Sequence, residues 1–170
     1  MENHFYFFSY GSNLLFERIQ KRTPSVEVIK QFKIDQFELV FNKRSKDGST
    51  KANIVQSDIA SSVYGTIKRI EKAEKKNLDR AEGLGYGYDL EYFETTLHDE
   101  IISVGYYIAR EEKYLMEGKP YDWYLDYVRF GALQNQFPKE YISMLNSVEG
   151  DVDKNGLRRK EHDLVLSPYR

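Results

Sequence analysis

Near the start of the chain, Tyr10-Gly11-Ser12-Asn13 sets a glycine and two short polar side chains directly after an aromatic run. A strand that turns into a helix here leaves backbone N–H groups unpaired at the helix start. Together with the helix dipole, those donors suit a carboxylate or an oxyanion. Gly11 has no Cβ, so a ligand can approach the backbone closely. The stretch is neither a G-x-G-x-x-G nor a Walker loop, and nothing in it calls for a nucleotide. On spacing alone a plain capped turn is the simpler account, because capped helix starts are common.

A second stretch, 78–89, reads LDRAEGLGYGYD. Ala73, Leu78 and Ala81 trace the inward side of the helix expected before it, with Glu82 beside that side at the C-terminus. The dipole there favours cations, and Tyr86 and Tyr88 could shield the carboxylate from water. Both effects would raise its pKa toward neutrality, where a carboxyl can give and take a proton. The bland account is an exposed glutamate paired with Lys75 or Arg80. A third stretch, 121–141, carries Trp123, Tyr124, Tyr127, Val128 and Gly131 at helical spacing. Such aromatics are usually core, although Tyr124 or Tyr127 could present a hydroxyl to a pocket. The three histidines, His4, His98 and His162, lack metal-ligand spacing, and no G-x-S-x-G elbow exists.

The elements that must position these groups follow from pattern. Residues 5–10 read as a buried strand and 13–22 as a helix capped by Ser12 or Asn13 and ended by Pro24. Strands are expected at 37–41, 54–55 and 63–70, with a polar loop at 44–51. A helix over 71–82 closes on Gly83. A hairpin joins 88–97 to 101–109 across Asp99-Glu100, and helices cover 122–135 and 138–148. Strands follow one another without helices between them, which argues against a doubly wound parallel sheet. The expected fold is α+β: a mixed, curled sheet or small barrel flanked by helices. Residues 1–150 form the domain, and 151–170 a charged tail with an apolar patch at 164–166.

Composition narrows the classes. The chain has 170 residues, 41% of them hydrophobic, with 14 Tyr and 10 Phe, enough for one core. Its net charge of −2 gives no basic balance for nucleic acid or an anionic membrane. With no cysteine, a disulfide, a zinc-thiolate site and a cysteine nucleophile are excluded. Residues 1–4 lack the features of a signal peptide, and no apolar run is long enough to span a bilayer, so a cytoplasmic location is expected.

The three stretches, with one more, carry a resemblance. The chain resembles the γ-glutamylcyclotransferase family. That family shows a strand ending in Y-G-S-N-L, here Tyr10 to Leu14, and then V-x-G-x-(aliphatic), here Val63 to Ile67. L-D-x-x-E-G follows, here Leu78 to Gly83. The fourth motif is a tyrosine before G-A-x-x-N-x-(aromatic or aliphatic)-P-x-x-Y, here Tyr124 and then Gly131 to Tyr141. All four occur in order between residue 7 and about residue 145, and together they reverse the bland accounts of Gly11, Ser12 and Glu82.

The resemblance implies an intramolecular reaction. The α-amine of a γ-glutamyl amide attacks its own γ-carbonyl, forming 5-oxoproline and releasing an amine. Glu82 is the implied acid/base. Phe7, Phe8, Ser9, Tyr10, Gly11, Ser12, Asn13, Tyr88 and Tyr124 are the implied substrate-binding residues. No cofactor or metal is implied, the partner is a small γ-glutamyl molecule, and a homodimer is left open. The chemistry fits residue by residue. Cyclisation needs a held conformer, one carboxylate can shuttle both protons, and N–H donors suit the oxyanion. The leaving half is expected to meet segments 83–88 and 121–123. Ser9 stands where relatives often carry alanine. The competing classes are a non-catalytic binding module of the same fold, which would need no carboxyl at Glu82, and a different amide-processing enzyme on the same scaffold.

Overall fold

The computed structural model describes residues 3–58 and 60–170. Residues 1, 2 and 59 lie outside the described residues, and with them half of the stretch 1–4 read for a signal peptide. The first strand, β1 (His4–Ser9), is followed by a 3-10 turn at Ser12–Leu14 and a short helix α1 (Phe16–Gln20). Strands β2 (Glu27–Asp35), β3 (Phe37–Arg44), β4 (Thr50–Gln56) and β5 (Ser62–Glu71) come next, then helix α2 (Lys75–Glu82). The hairpin β6 (Asp89–Leu97) and β7 (Glu100–Ile108) precedes helices α3 (Asp122–Gln134), α4 (Lys139–Ser147) and α5 (Gly156–Leu166).

The fold is α+β. Five strands form a curled mixed sheet in the order β2-β5-β1-β7-β6, and β3 pairs with β4 in a second sheet. Among the strands of the described residues, only β1 and β7 run parallel; the other neighbouring pairs are antiparallel. Alternation along β1 sends Phe8 to one face and Phe7 to the other. Phe8 joins the larger apolar cluster with Ile67, Val104, Val128 and Leu145. Phe7 joins a second one with Ile19, Ile70 and Leu78. The central strand therefore has core on both sides, and its C-terminal end delivers the Tyr10–Asn13 turn.

Several local expectations are corrected. The helix expected over 13–22 is broken at Leu15, whose φ of −67° and ψ of 122° are extended. Gly11, rather than Ser12 or Asn13, occupies the cap position, and no side-chain cap is made. One 3-10 turn has little dipole, so the dipole argument falls away. The hairpin turns at His98-Asp99, with φ of 49° and 67°, because Leu97 pairs with Glu100. Two positive φ values make this the primed turn that matches strand twist. Strand β2 was not expected; it is an edge strand on which no residue is fully buried, and a bulge between Val28 and Lys30 interrupts its alternation. In α2 only Leu78 is buried; Ala81 is exposed, and so is Ala73 in the 3-10 turn Lys72–Glu74 that precedes it. The inward line is Lys75, Leu78, Asp79 and Glu82.

Residues 151–170 are largely helical. Leu166 of α5 is fully buried in the main core. Asp153 accepts from the Trp123 indole at 2.9 Å and pairs with Arg158 at 2.6 Å. The His162 ring stacks on Trp123 at 3.6 Å, and burial holds its pKa down at about 4.

Candidate active site

Glu82 is the last residue of α2, and the geometry of the helix end fixes where it points. Gly83 adopts a left-handed φ of 72°. Its N–H donates to Arg80 O at 3.2 Å and that of Leu84 to Asp79 O at 2.9 Å. This is the Schellman pattern that glycine permits after a helix. The carboxylate turns toward the start of the chain, where Asn13 Nδ2 donates to Oε1 at 2.5 Å. Arg22 Nη1 stands 3.5 Å from the same oxygen and donates to Asn13 Oδ1 at 2.7 Å. Asn13 is thus oriented by Arg22, and Glu82 by both. Neither Lys75 nor Arg80 pairs with Glu82; Lys75 is bound to Asp79 at 2.8 Å. Among the described residues no donor reaches Glu82 Oε2, which is left for a ligand.

A small cavity opens at this carboxylate. Phe7, Phe8, Ser9, Tyr10, Gly11, Ser12, Asn13, Glu82, Tyr88 and Tyr124 all line it, so the ten residues singled out from sequence meet in one place. Ser9 Oγ is buried without a partner. The backbone amides of Gly11, Ser12 and Asn13 have no acceptor among the described residues, whereas that of Leu14 donates to Gly11 O at 2.9 Å. Hydroxyls tie the walls together. Tyr10 donates to Tyr107 O and Tyr88 to Ala52 O. Tyr124 Oη accepts from Ala52 N at 3.1 Å, which leaves its own proton to donate. Burial raises the pKa of all three tyrosines, and the negative charge of Glu82 adds to it, so they act as neutral hydroxyls.

Three expectations fail here. Tyr86 is 84% exposed and shields nothing; Tyr88 is the buried one. Tyr127 turns its hydroxyl to His162 Nδ1 at 3.1 Å, away from the cavity. Segment 121–123 is also displaced from the expected leaving side. Trp123 is buried beneath His162, and Tyr121 lines a separate hollow with Asp153 and Arg158.

The γ-glutamylcyclotransferase of Bos taurus is 30% identical to this chain over 169 residues, covering 95% of the chain and 87% of the bovine protein. The chain belongs to the γ-glutamylcyclotransferase family. The family's Homo sapiens protein is 30% identical over 171 residues, covering 96% of this chain and 89% of its own. A solved structure of a γ-glutamyl cyclotransferase matches with a TM-score of 0.82 at 26% identity, over 96% of this chain and 99% of that one. Residues 62–145 match the AIG2-like family.

In this member of the γ-glutamylcyclotransferase family, four site residues were not singled out from sequence. Ala52 and Tyr107 line the cavity. Arg22 braces Asn13, and Arg18 Nε donates to Ser12 Oγ at 3.0 Å. The two arginines are four apart after the turn, a spacing that puts them on one side of the chain and could have drawn notice. Ala52 and Tyr107 carry no such signal, since they reach the cavity only through strand pairing. Among the described residues no group of three or more His, Asp or Glu could hold a metal, and no helix is long and apolar enough to cross a membrane.

Proposed function

We propose that this chain converts γ-glutamyl amides to 5-oxoproline and a free amine, with Glu82 as the single proton shuttle. The observation that carries the reading is the meeting of Glu82 with the Tyr10–Asn13 turn in one cavity, through the 2.5 Å Asn13–Glu82 hydrogen bond. The γ-glutamyl half occupies that cavity. Its α-amine bonds to the γ-carbon and gives its proton to Glu82 Oε2. The tetrahedral oxyanion and the α-carboxylate draw on the amides of Gly11, Ser12 and Asn13 and on the Tyr124 hydroxyl. The amide C–N bond then breaks, and Glu82 returns the proton to the departing nitrogen. Nucleophile and electrophile belong to one molecule, so the cavity's main task is to hold the folded conformer. A cytoplasmic site of action is part of this reading, and a chain without cysteine is compatible with it.

The test is incubation with γ-glutamyl amides and detection of 5-oxoproline by mass spectrometry. Glu82→Gln keeps the shape and the Asn13 contact but cannot carry a proton. It should bind substrate and lose ~10²–10⁴-fold in turnover or more. Near-normal turnover by Glu82→Gln would remove the shuttle role. An N-acetylated substrate has no nucleophile and should be inert; release of amine from it would mean hydrolysis by water.

A further inference from the structure

Glu82 lines a second depression besides the head-group cavity. This groove runs along the outer side of the α2 end and the turn after it, facing the end of β3. A substrate whose γ-carbonyl sits at Glu82 must send its leaving nitrogen out on one side of that carboxylate, and the groove, which Glu82 also lines, is one such side. Five cations line it: Lys43, Arg44, Lys46, Arg80 and Lys113. Only Lys113 is in an ion pair, with Glu111 at 2.6 Å. Among the described residues, Lys43, Arg44, Lys46 and Arg80 have no carboxylate within 4 Å. The two acids of the groove are already engaged, Asp79 by Lys75 and the Tyr107 hydroxyl, and Glu82 by Asn13 and Arg22. In a chain whose net charge is −2, four cations outside any direct ion pair line one groove, with Glu82 and Asp47 acting on Lys43 only at longer range, and such a grouping attracts anions.

Lys43 stands innermost. Its Nζ lies 4.8 Å from the centre of the Tyr88 ring, a wall of the head-group cavity. It also covers Gly87, whose missing Cβ would lie 2.7 Å from it. The ammonium is half-buried, and burial is the main cause that lowers its pKa. A partly desolvated cation without a paired carboxylate gains from an anionic ligand. Arg44, Lys46 and Arg80 are exposed and form the outer rim.

We propose that this groove is an anion subsite for the leaving half of the substrate and that it selects leaving groups with two carboxylates, such as an acidic amino acid, with Lys43 as its inner contact. The inference rests on the cyclotransferase reading and deepens it. One carboxylate meets Lys43 and the second meets the rim. A charge-assisted hydrogen bond of this kind is worth about ten-fold or more in binding.

The experiment is steady-state kinetics on γ-L-glutamyl-L-glutamate, γ-L-glutamyl-L-glutamine and γ-L-glutamyl-ethylamide, which share the head group. The first two differ only in the side-chain charge. The ratio of kcat/KM between them should be ~10-fold in favour of glutamate. It should shrink as salt rises, and collapse toward one in Lys43→Gln and in the doubly substituted Lys46→Gln, Arg80→Gln protein. The ethylamide should be slowest. Equal kcat/KM for the glutamate and glutamine substrates, or a ratio untouched by both variants, overturns the subsite. Formation of 5-oxoproline from the glutamine substrate reports separately that the cyclotransferase reading stands. No turnover of any of the three would sink both.

Discussion

Lys68 is fully buried in the middle of β5, in register with Phe7 of β1 and Val28 of β2. Its Nζ donates to the Thr66 hydroxyl, and no carboxylate faces it among the described residues. Desolvation alone brings its pKa from 10.5 to about 7. That fall corresponds to ~5 kcal/mol by which the fold disfavours the ammonium. The sign follows from proton counting. Between pH 7 and about 10.5 the unfolded chain binds the proton and the folded chain does not, so stability rises with pH across that window. Below pH 7 the full cost is present; above the unfolded value it is gone. Lys68→Met keeps a long unbranched side chain and removes the charge, while the Thr66 hydroxyl loses a partner worth ~1 kcal/mol. The expected net gain at pH 6 is ~2–4 kcal/mol, which for a chain of this length raises Tm by roughly 5–15 °C. The assay is urea unfolding of both proteins at intervals from pH 6 to pH 10. The difference between them should be largest at pH 6 and should shrink steadily above pH 7. A variant less stable than the parent throughout, or a difference that does not change with pH, would refute the reasoning that Lys68 is a buried, unpaired charge.

Two further expectations concern the scaffold. A Cβ on Gly131 would lie 2.5 Å from Leu14 Cβ and 2.6 Å from Leu15 N, so Gly131→Ala must push the Ser12–Leu14 turn away from α3. A loss of ~1–3 kcal/mol in thermal unfolding, with turnover reduced more than stability alone explains, is expected. Asp153 has its carboxyl held well below the ordinary range, chiefly by Arg158. Its contribution is therefore present above about pH 4 and lost as pH falls below it. Asp153→Asn should cost ~1–3 kcal/mol at pH 7 and much less at pH 2–3, read by urea unfolding at each pH.

The α+β class was legible because strand-like runs adjoin one another, and the helices α3 and α4 because their apolar spacing is sustained. What escaped did so for physical reasons. Edge strand β2 has no fully buried residue, and a register shift between Val28 and Lys30 interrupts its alternation, which holds only over residues 30–35. Helix α5 has its core contact at its last residue, Leu166, while Leu157 and Leu164 are 80% and 71% exposed. A charged segment whose anchors are spread singly, as the Asp153–Arg158 pair, the His162–Trp123 stack and Leu166, reads as a tail. The break at Leu15 is set from outside: Asn135 Nδ2 donates to Leu14 O at 3.2 Å, a contact 121 residues away that local propensity does not contain.

That contact shows what the four motifs have in common. Each reaches that turn or the end of the strand that delivers it. Gly131 lets α3 approach Leu14 and Leu15 closely, and Asn135 ties Leu14 O to Gly131 O, at 3.2 and 2.7 Å. Gly65 lies where a Cβ would meet the Phe8 ring at 2.4 Å and Ser9 O at 2.5 Å, so β5 can press against the end of β1 only as glycine. Glu82 takes the hydrogen bond of Asn13. Tyr124 Oη would lie 3.3 Å from a Cβ on Gly11. Residues spread over some 125 positions of sequence therefore share one task, holding Gly11, Ser12 and Asn13 with their amides unspent. A 3-10 turn of three residues cannot hold that shape by its own hydrogen bonds. The rigidity a preorganised anion site requires is supplied by the sheet on one side and α3 on the other.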